Sequence, residues 1–392
     1  MSKQTMAKPV VLIFKETLLP VSETFIETPT RNLSEFRPRY VGLGRVSPSL
    51  AIPPDAIVLT TGMSVGAGLV QKAYRRAGIA PNFHRKTAEA NAQLIHAHFA
   101  SGGRSALPVA RHLGIPLVVT LHGSDVTTRI DFKQRYRDLW REACTFVCVS
   151  DFIRQKAAEA GFPNEKLKTL YIGIDCDTFQ PKEEARQQDV VLFVGRLVEK
   201  KGCGFLLRAM AEVGKTHPNV RTVVIGDGPM RASLQDLASE LNVSCQFLGA
   251  QPKAVVQEWM AKARVFCAPS ITASDGDSEG FGMVFAEAQA MGTPVVSFQH
   301  GGIPEVVLHG RTGLLAPEGD ANALAGHIET LLDDEEFWTH CSQEGIAWVR
   351  KRFDLKVQIR QLEKLYADVC RATAESGCVL LEGCARSTAT RS

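Results

Sequence analysis

The chain has 392 residues, 45% of them hydrophobic and 22% charged, with a formal net charge of +3. At roughly 100–200 residues per domain this length suggests two domains, and the composition excludes disorder, collagen and a coiled coil. The uncharged stretch Ala56–Gln71 is too short, and too rich in Thr, Ser and Gly, for a spanning helix of roughly 20 apolar residues.

In chain order, the first strand is expected at VVLIF (10–14); Lys15 and Glu16 cut its apolar run too short for a secretion signal, so a cytoplasmic location is the default. The loop PVSETFIET (20–28) follows, offering Ser22, Glu23 and Thr24 just beyond the strand end. Lys72, Arg75, Arg76, Arg85 and Lys86 cluster after an apolar stretch, and Lys133, Arg135, Arg137 and Arg141 form a second group. Each group suits an anionic lipid surface or a solvated helix face. His96 and His98 alternate with apolar neighbours in LIHAHFAS, as strand-end residues do. Further strands are expected at 115–121, 145–149, 190–195, 221–226, 264–269 and 293–298, with helices at Cys203–Val213, Met230–Leu241 and Val255–Ala263 between them.

Continuous apolar strands separated by helices mean parallel sheets covered on both faces. The polar segment 181–189 separates two such series. Two doubly wound, Rossmann-like α/β domains facing each other across a cleft are expected, 1–180 and 190–372, with 373–392 a loose tail. Residues 1–180 carry a net +8 and residues 181–392 a net −5. The basic half suits anionic lipid, a phosphorylated substrate or nucleic acid; nucleic acid is disfavoured because RNA-binding and zinc-finger signatures are missing. Ten cysteines without a CxxC pair read as reduced, packed thiols, and no metal site is expected.

Ligands of doubly wound sheets sit beyond the strand C-termini, where glycine-rich turns enter helices. In VGRLVEKKG (194–202), Arg196 and Lys201 follow the strand end at Gly195 and can hold a diphosphate; standing alone they could equally be solvated, as Glu199 and Lys200 are expected to be. IGDGPM (225–230) offers a Gly-x-Gly turn, but Arg231 stands where a dinucleotide fingerprint needs its third glycine, and no nicotinamide cofactor is expected.

The most informative stretch is SDGDSEGFGMVFAEAQAMGTPVV (274–296). Gly280 and Gly282 open a helix whose N-terminal amides can receive phosphate. Glu279 and Glu287 are eight residues apart, roughly 12 Å on a helical path at 1.5 Å per residue. A glycosidase pair needs about 5–9.5 Å, so this spacing better suits two hydroxyl-rich groups flanking a diphosphate. Alternatively, Glu279 is a helix-end charge and Glu287 part of a solvated face. Asp275-Gly276-Asp277 lies in a polar loop and reads as a loop element. In LVVTLHGSD (117–125), His122 ends a buried strand and would point into the cleft, with Asp125 able to orient it.

These segments resemble the family 4 retaining glycosyltransferases of the GT-B fold. The likeness rests on VGRL with KKG, GDGP, FLG (247–249), EGFGMVFAE with its two glutamates, GTPVV, HGGIPE (300–305), GRTGLL (310–315) and YIGIDCDTF (171–179), and covers about residues 10–370. LLPVSETFIET and HAHFAS further resemble the exopolysaccharide branch, including colanic-acid-type enzymes. The resemblance implies transfer of a sugar, with retention, from a UDP- or GDP-linked nucleotide sugar to a glycan or polyprenyl-diphosphate-linked acceptor. It implies no metal and no cofactor beyond the nucleotide sugar as co-substrate.

By the same resemblance Arg196 and Lys201 bind the diphosphate, Glu287 the ribose and Glu279 the transferred sugar. Gly195, Gly249, Gln251 and the Gly280, Phe281, Gly282, Met283 and Val284 backbone line the donor. His122 touches a sugar hydroxyl, or its backbone lies near the reacting carbon; residues 1–180 are then the acceptor-binding domain, with Ser22, Glu23, Thr24 and Asp125 facing the acceptor, and 190–372 the donor-binding domain. PVSET stands where many relatives have a Gly-Gly pair. The rival functions are a GT-B-type nucleotide-sugar epimerase and a non-catalytic nucleotide-sugar-binding module.

Overall fold

The computed structural model describes residues 7–20, 23–45, 49–61, 64–128, 132–181 and 189–376. The strands of the first lobe are β1 (Val10–Phe14), β2 (Thr17–Leu18), β3 (Arg37–Gly42), β4 (Gly44–Arg45), β5 (Ile57–Val58), β6 (Ala92–His98), β7 (Leu117–Leu121), β8 (Thr145–Cys148) and β9 (Leu167–Thr169). Seven of them form one parallel sheet in the order β5-β3-β1-β6-β7-β8-β9, and β2 pairs with β4 beside it. The second lobe contains β10 (Val190–Val194), β11 (Arg221–Ile225), β12 (Cys245–Gly249), β13 (Val265–Cys267), β14 (Val295–Phe298) and β15 (Gly313–Ala316). They form a six-stranded parallel sheet in the order β12-β11-β10-β13-β14-β15. Both orders reverse direction next to the first strand of their lobe, the crevice where doubly wound sheets hold ligands.

Every residue of β1 is buried, as a strand covered on both faces requires. Leu12 and Phe14 join one core, Val11 and Ile13 the other, following the two-residue alternation of a strand. The second of these cores holds the clearest departure from the expected organisation. The helix Leu355–Ser376 does not pack on the sheet that precedes it. It returns to the first lobe, burying Leu355, Ile359, Leu362, Leu365, Tyr366 and Val369 against Val11, Ile13, Leu94, Val118 and Val147.

Burying each such aliphatic side chain stabilises the fold by about 1.5–3 kcal/mol. Glu363, buried at the seam, accepts hydrogen bonds from Ser34 Oγ (2.7 Å), the Glu35 amide (2.6 Å) and the Phe36 amide (3.2 Å). The donor unit expected at 190–372 therefore ends near Phe353, and the rest of it belongs to the first lobe. Tail residues 377–392 lie outside the described part. Among the described residues, no helix is long and apolar enough to cross a membrane.

Candidate functional site

The second-lobe wall is built by two loops that zip together. After β10 the chain makes a short turn, Glu199–Lys201, before the helix Cys203–Thr216. Lys201 Nζ bonds Glu279 Oε2, Lys200 pairs with Asp277 at 2.8 Å, and Glu199 accepts from Ser274 Oγ at 2.8 Å. Lys200 is thus not the solvated charge expected: it ties the 274–279 loop to this turn through Asp277, while Glu199 is exposed as expected and bonds Ser274 from the surface. Arg196 is exposed and makes no side-chain hydrogen bond or ion pair among the described residues.

Glu279 is 8% exposed. Burial alone would raise its pKa. Lys201 and Lys200, the Lys201 hydrogen bond and His300 outweigh that and hold the carboxyl below its ordinary value. Its amide donates to His300 Nε2 at 3.3 Å, and the other ring nitrogen of His300 lies 2.9 Å from Glu318 Oε2.

The helix expected after these glycines is Met283–Ala290, with Gly282 at its N-cap and no capping side chain. Gly282 sits at φ +79°, a conformation that L-residues with a Cβ rarely adopt. The span 279–282 is consequently a turn, so the 12 Å figure for a fully helical path does not describe it. The Phe281 ring is buried against Tyr171 and Phe353, leaving its backbone for any ligand. Amides at the head of an uncapped helix lack intrahelical acceptors and carry the positive end of the dipole.

Glu287, one turn into the helix, is partly buried and has no hydrogen-bond or ion-pair partner among the described residues. Burial pushes its carboxyl up to about 7, opposed in part by Lys253. Gly249 closes β12 beside Arg231, while the Gln251 amide turns back onto the Leu248 carbonyl at 2.6 Å.

On the opposite wall, His122 follows β7 and packs its ring on Phe25 and Phe99, with centroids 4.8 and 4.6 Å away. Asp125 does not orient that ring. Its carboxylate accepts instead from the backbone amides of His122 (3.0 Å), Gly123 (2.9 Å) and Ala100 (3.1 Å), fixing the loop to the head of the helix Ala100–Leu113. Asp125 is buried and serves the backbone, not the cleft expected for an acceptor-side residue. Glu23 pairs with Lys15 at 3.1 Å, and burial raises its carboxyl despite that cation. Thr24 is exposed at the start of the helix Thr24–Arg31, and Ser22 lies outside the described residues.

The two walls touch. A Cβ on Gly280 would come within 2.3 Å of the His122 carbonyl oxygen, so only glycine lets the loops meet. Ser150 Oγ donates to the Gly280 carbonyl at 2.6 Å. Glu305, from the second lobe, accepts the amides of Asp151 and Phe152 at 2.8 Å each and so caps the first-lobe helix Asp151–Glu159. Sequence spacing held no signal for these contacts, since the partners lie 130 or more residues apart. The result is a cleft with cations and helix amides on one side and neutral polar and aromatic groups on the other. Among the described residues, no group of three His, Cys, Asp or Glu is placed to hold a metal ion, and eight cysteines are free thiols.

Comparison with known proteins agrees with this layout. The family described as "Glycosyl transferases group 1" matches residues 176–348, and "Glycosyltransferase Family 4" matches residues 46–178. The chain is similar to the amylovoran biosynthesis glycosyltransferase AmsK of Erwinia amylovora, 31% identical over 289 residues, covering 72% of this chain and 71% of that one. It is also 31% identical over 274 residues to the GDP-mannose-dependent alpha-(1-6)-phosphatidylinositol monomannoside mannosyltransferase of Mycolicibacterium smegmatis, covering 66% of this chain and 72% of that one. Its fold resembles Anabaena HepE solved with UDP-glucose, with TM-score 0.71 and 21% identity over 92% of this chain and 99% of HepE.

Proposed function

We propose, from the premise that this chain belongs to the family 4 glycosyltransferases, that it moves a sugar, with retention, from a nucleotide-diphosphate sugar to a glycan or lipid-linked saccharide in exopolysaccharide synthesis. Membership makes it a glycosyltransferase with two Rossmann-like lobes of the GT-B type. The donor, the stereochemistry and the pathway are our reading. The observation that carries it is the Lys201–Glu279 pair at the head of an uncapped helix, directly across from the His122–Gly123 loop.

An ammonium has three donors. Lys201 uses one on Glu279, leaving others for a diphosphate oxygen. The amides of Met283 and Val284 and the guanidinium of Arg196 complete the grip on the departing nucleotide. This preorganised positive charge stabilises the leaving group, and the cations supply what a metal supplies elsewhere. The free oxygen of Glu279 accepts a sugar hydroxyl, and Glu287, lacking a partner, accepts the ribose hydroxyls. Lobe contact through Gly280 and Glu305 aligns acceptor and anomeric carbon. Attack comes from the face the diphosphate leaves, and the leaving phosphate takes the acceptor proton.

The reaction would occur at the cytoplasmic surface of the membrane. Val65, Leu69, Val70 and Ile79 are exposed large apolar side chains, all between residues 65 and 79. Lys72, Arg76, Arg85 and Lys86 are exposed beside them, as suits an anionic bilayer. In the second basic group, Arg141 pairs with Asp138 and Glu142, which leaves it less charge to offer.

The test is a panel of UDP- and GDP-sugars, read by melting temperature and by nucleotide release with and without EDTA. One donor should raise the melting temperature and be turned over faster when a saccharide acceptor is added. Free UDP released with a 2-epimer and no acceptor would establish the epimerase instead, and binding without turnover the non-catalytic module.

A further inference from the structure

His98 takes no part in the donor grip. The parallel register sets it beside Thr120 of β7. With side chains alternating, His96, His98, Thr120 and, two residues on, His122 share one face. Both ring nitrogens of His96 are occupied: Nδ1 lies 2.6 Å from Tyr366 Oη and Nε2 2.6 Å from Thr120 Oγ1. His98 Nδ1 lies 3.1 Å from His122 Nε2, with the ring planes 26° apart and their centroids 5.3 Å apart.

Among the described residues the remaining nitrogens, His98 Nε2 and His122 Nδ1, are buried without a hydrogen-bond partner, and so is Glu23 Oε2. Lys15, paired with Glu23, lies 4.7 Å over the Phe99 ring on which His122 packs. Burial lowers His96 and His122 to about 3 and takes His98 down as well, so all three are neutral near pH 7. A neutral imidazole carries one N–H. The contact between His98 and His122 needs one donor and one acceptor. Of His98 Nε2 and His122 Nδ1, then, one bears a proton and the other a lone pair. The tautomer of His122 is thereby coupled to that of its neighbour.

We infer that His98 is a positioning residue for the transfer reaction: by bonding His122 Nε2 it fixes the ring plane, and couples to its own the tautomer, with which His122 Nδ1 meets a sugar hydroxyl. The identity of that ligand rests on the transferase reading; the pairing itself does not.

The test uses the full chain with His98→Phe, which keeps an aromatic ring, and His98→Asn, which keeps an amide near the Nδ1 position. Nucleotide release is measured with UDP-glucose and GDP-mannose, and His122 is observed by imidazole nitrogen NMR. His98→Phe should lower kcat by about 10- to 100-fold, the scale of one positioned hydrogen-bonding group, with the donor KM within about threefold of the parent. His98→Asn should recover most of that loss. In the NMR spectrum the parent should show complementary tautomers on His98 and His122, and the His122 tautomer ratio should be kept in His98→Asn but altered in His98→Phe.

Unchanged kcat in a folded His98→Phe would overturn the inference. So would equal losses in both variants, or a single unaltered His122 tautomer in all three proteins. If the parent turned over neither nucleotide sugar, the transferase reading would fail, while the tautomer measurement would still decide the pairing.

Discussion

Replacing Lys201 by alanine removes the one ammonium that joins the donor turn to the helix head. Its side chain is 17% exposed and that of Glu279 11%, so water screens the pair little. Two effects follow. Loss of one preorganised donor to a developing anion costs about 100- to 1,000-fold in kcat, or about 3–4 kcal/mol in the barrier. Glu279 also loses the largest influence opposing its burial, so its pKa rises and it becomes a poorer acceptor for a sugar hydroxyl. Breaking a fully buried pair costs about 3–5 kcal/mol of stability, but Lys200 and His300 remain near Glu279, which limits the loss to about 2 kcal/mol. Lys200→Ala is the contrast: its partner Asp277 lies in the loop before the helix head, so turnover should fall by no more than about tenfold. The assay is steady-state nucleotide release with the preferred donor, beside a urea titration. Turnover of Lys201→Ala within about threefold of the parent would refute a diphosphate grip by this residue.

Three other outcomes are expected. Glu287 has a folded pKa of about 7 against an ordinary 4.5, so the unfolded chain releases this proton first as pH rises. Its contribution to stability should therefore fall between about pH 4.5 and 7 and level off above, by about 2–3 kcal/mol. Glu287→Gln should gain stability over the parent at pH 8 but not at pH 4.5, and bind nucleotide more weakly; a pH-independent gap in urea midpoints contradicts the burial argument. Glu305→Gln weakens the cap that the second lobe places on the helix Asp151–Glu159, worth about 1 kcal/mol, and should increase the radius of gyration in X-ray scattering and lower kcat. Val65→Ser with Leu69→Ser should abolish sedimentation with vesicles containing anionic phospholipid while leaving turnover of a soluble acceptor intact; binding equal to the parent removes this face from the membrane reading.

Much of the fold was legible because its strands are buried on both sides. Apolar runs such as 10–14, 190–194 and 221–225 need no partner information to be recognised. Strands with mixed composition were not: RPRYVG of β3 carries two arginines and a proline, and β5 and β9 have two and three residues. The turns at Gly195–Gly202 and Gly280–Gly282 were readable from glycine and cation spacing, and the helix begins where the glycines place it. The pairing of Lys201 with Glu279 was not, because it joins residues 78 apart through tertiary packing.

Asp125 shows a different limit. Sequence adjacency to His122 suggested a side-chain partnership, whereas the carboxylate accepts two backbone amides of a tight loop. The return of the last helix to the first lobe was equally hidden. Its apolar face does not name the sheet it covers; Glu363 and Tyr366, bonded to Ser34 and His96, tie it to the first lobe.

The most direct measurement is a crystal structure with the preferred nucleoside diphosphate soaked into the intact chain. The pyrophosphate oxygens are expected within about 3 Å of Lys201 Nζ, the Arg196 guanidinium and the Met283 and Val284 amides, with the ribose on Glu287. A nucleotide seated elsewhere, or one that leaves Lys201 bound to Glu279 alone, contradicts the assignment of this cleft.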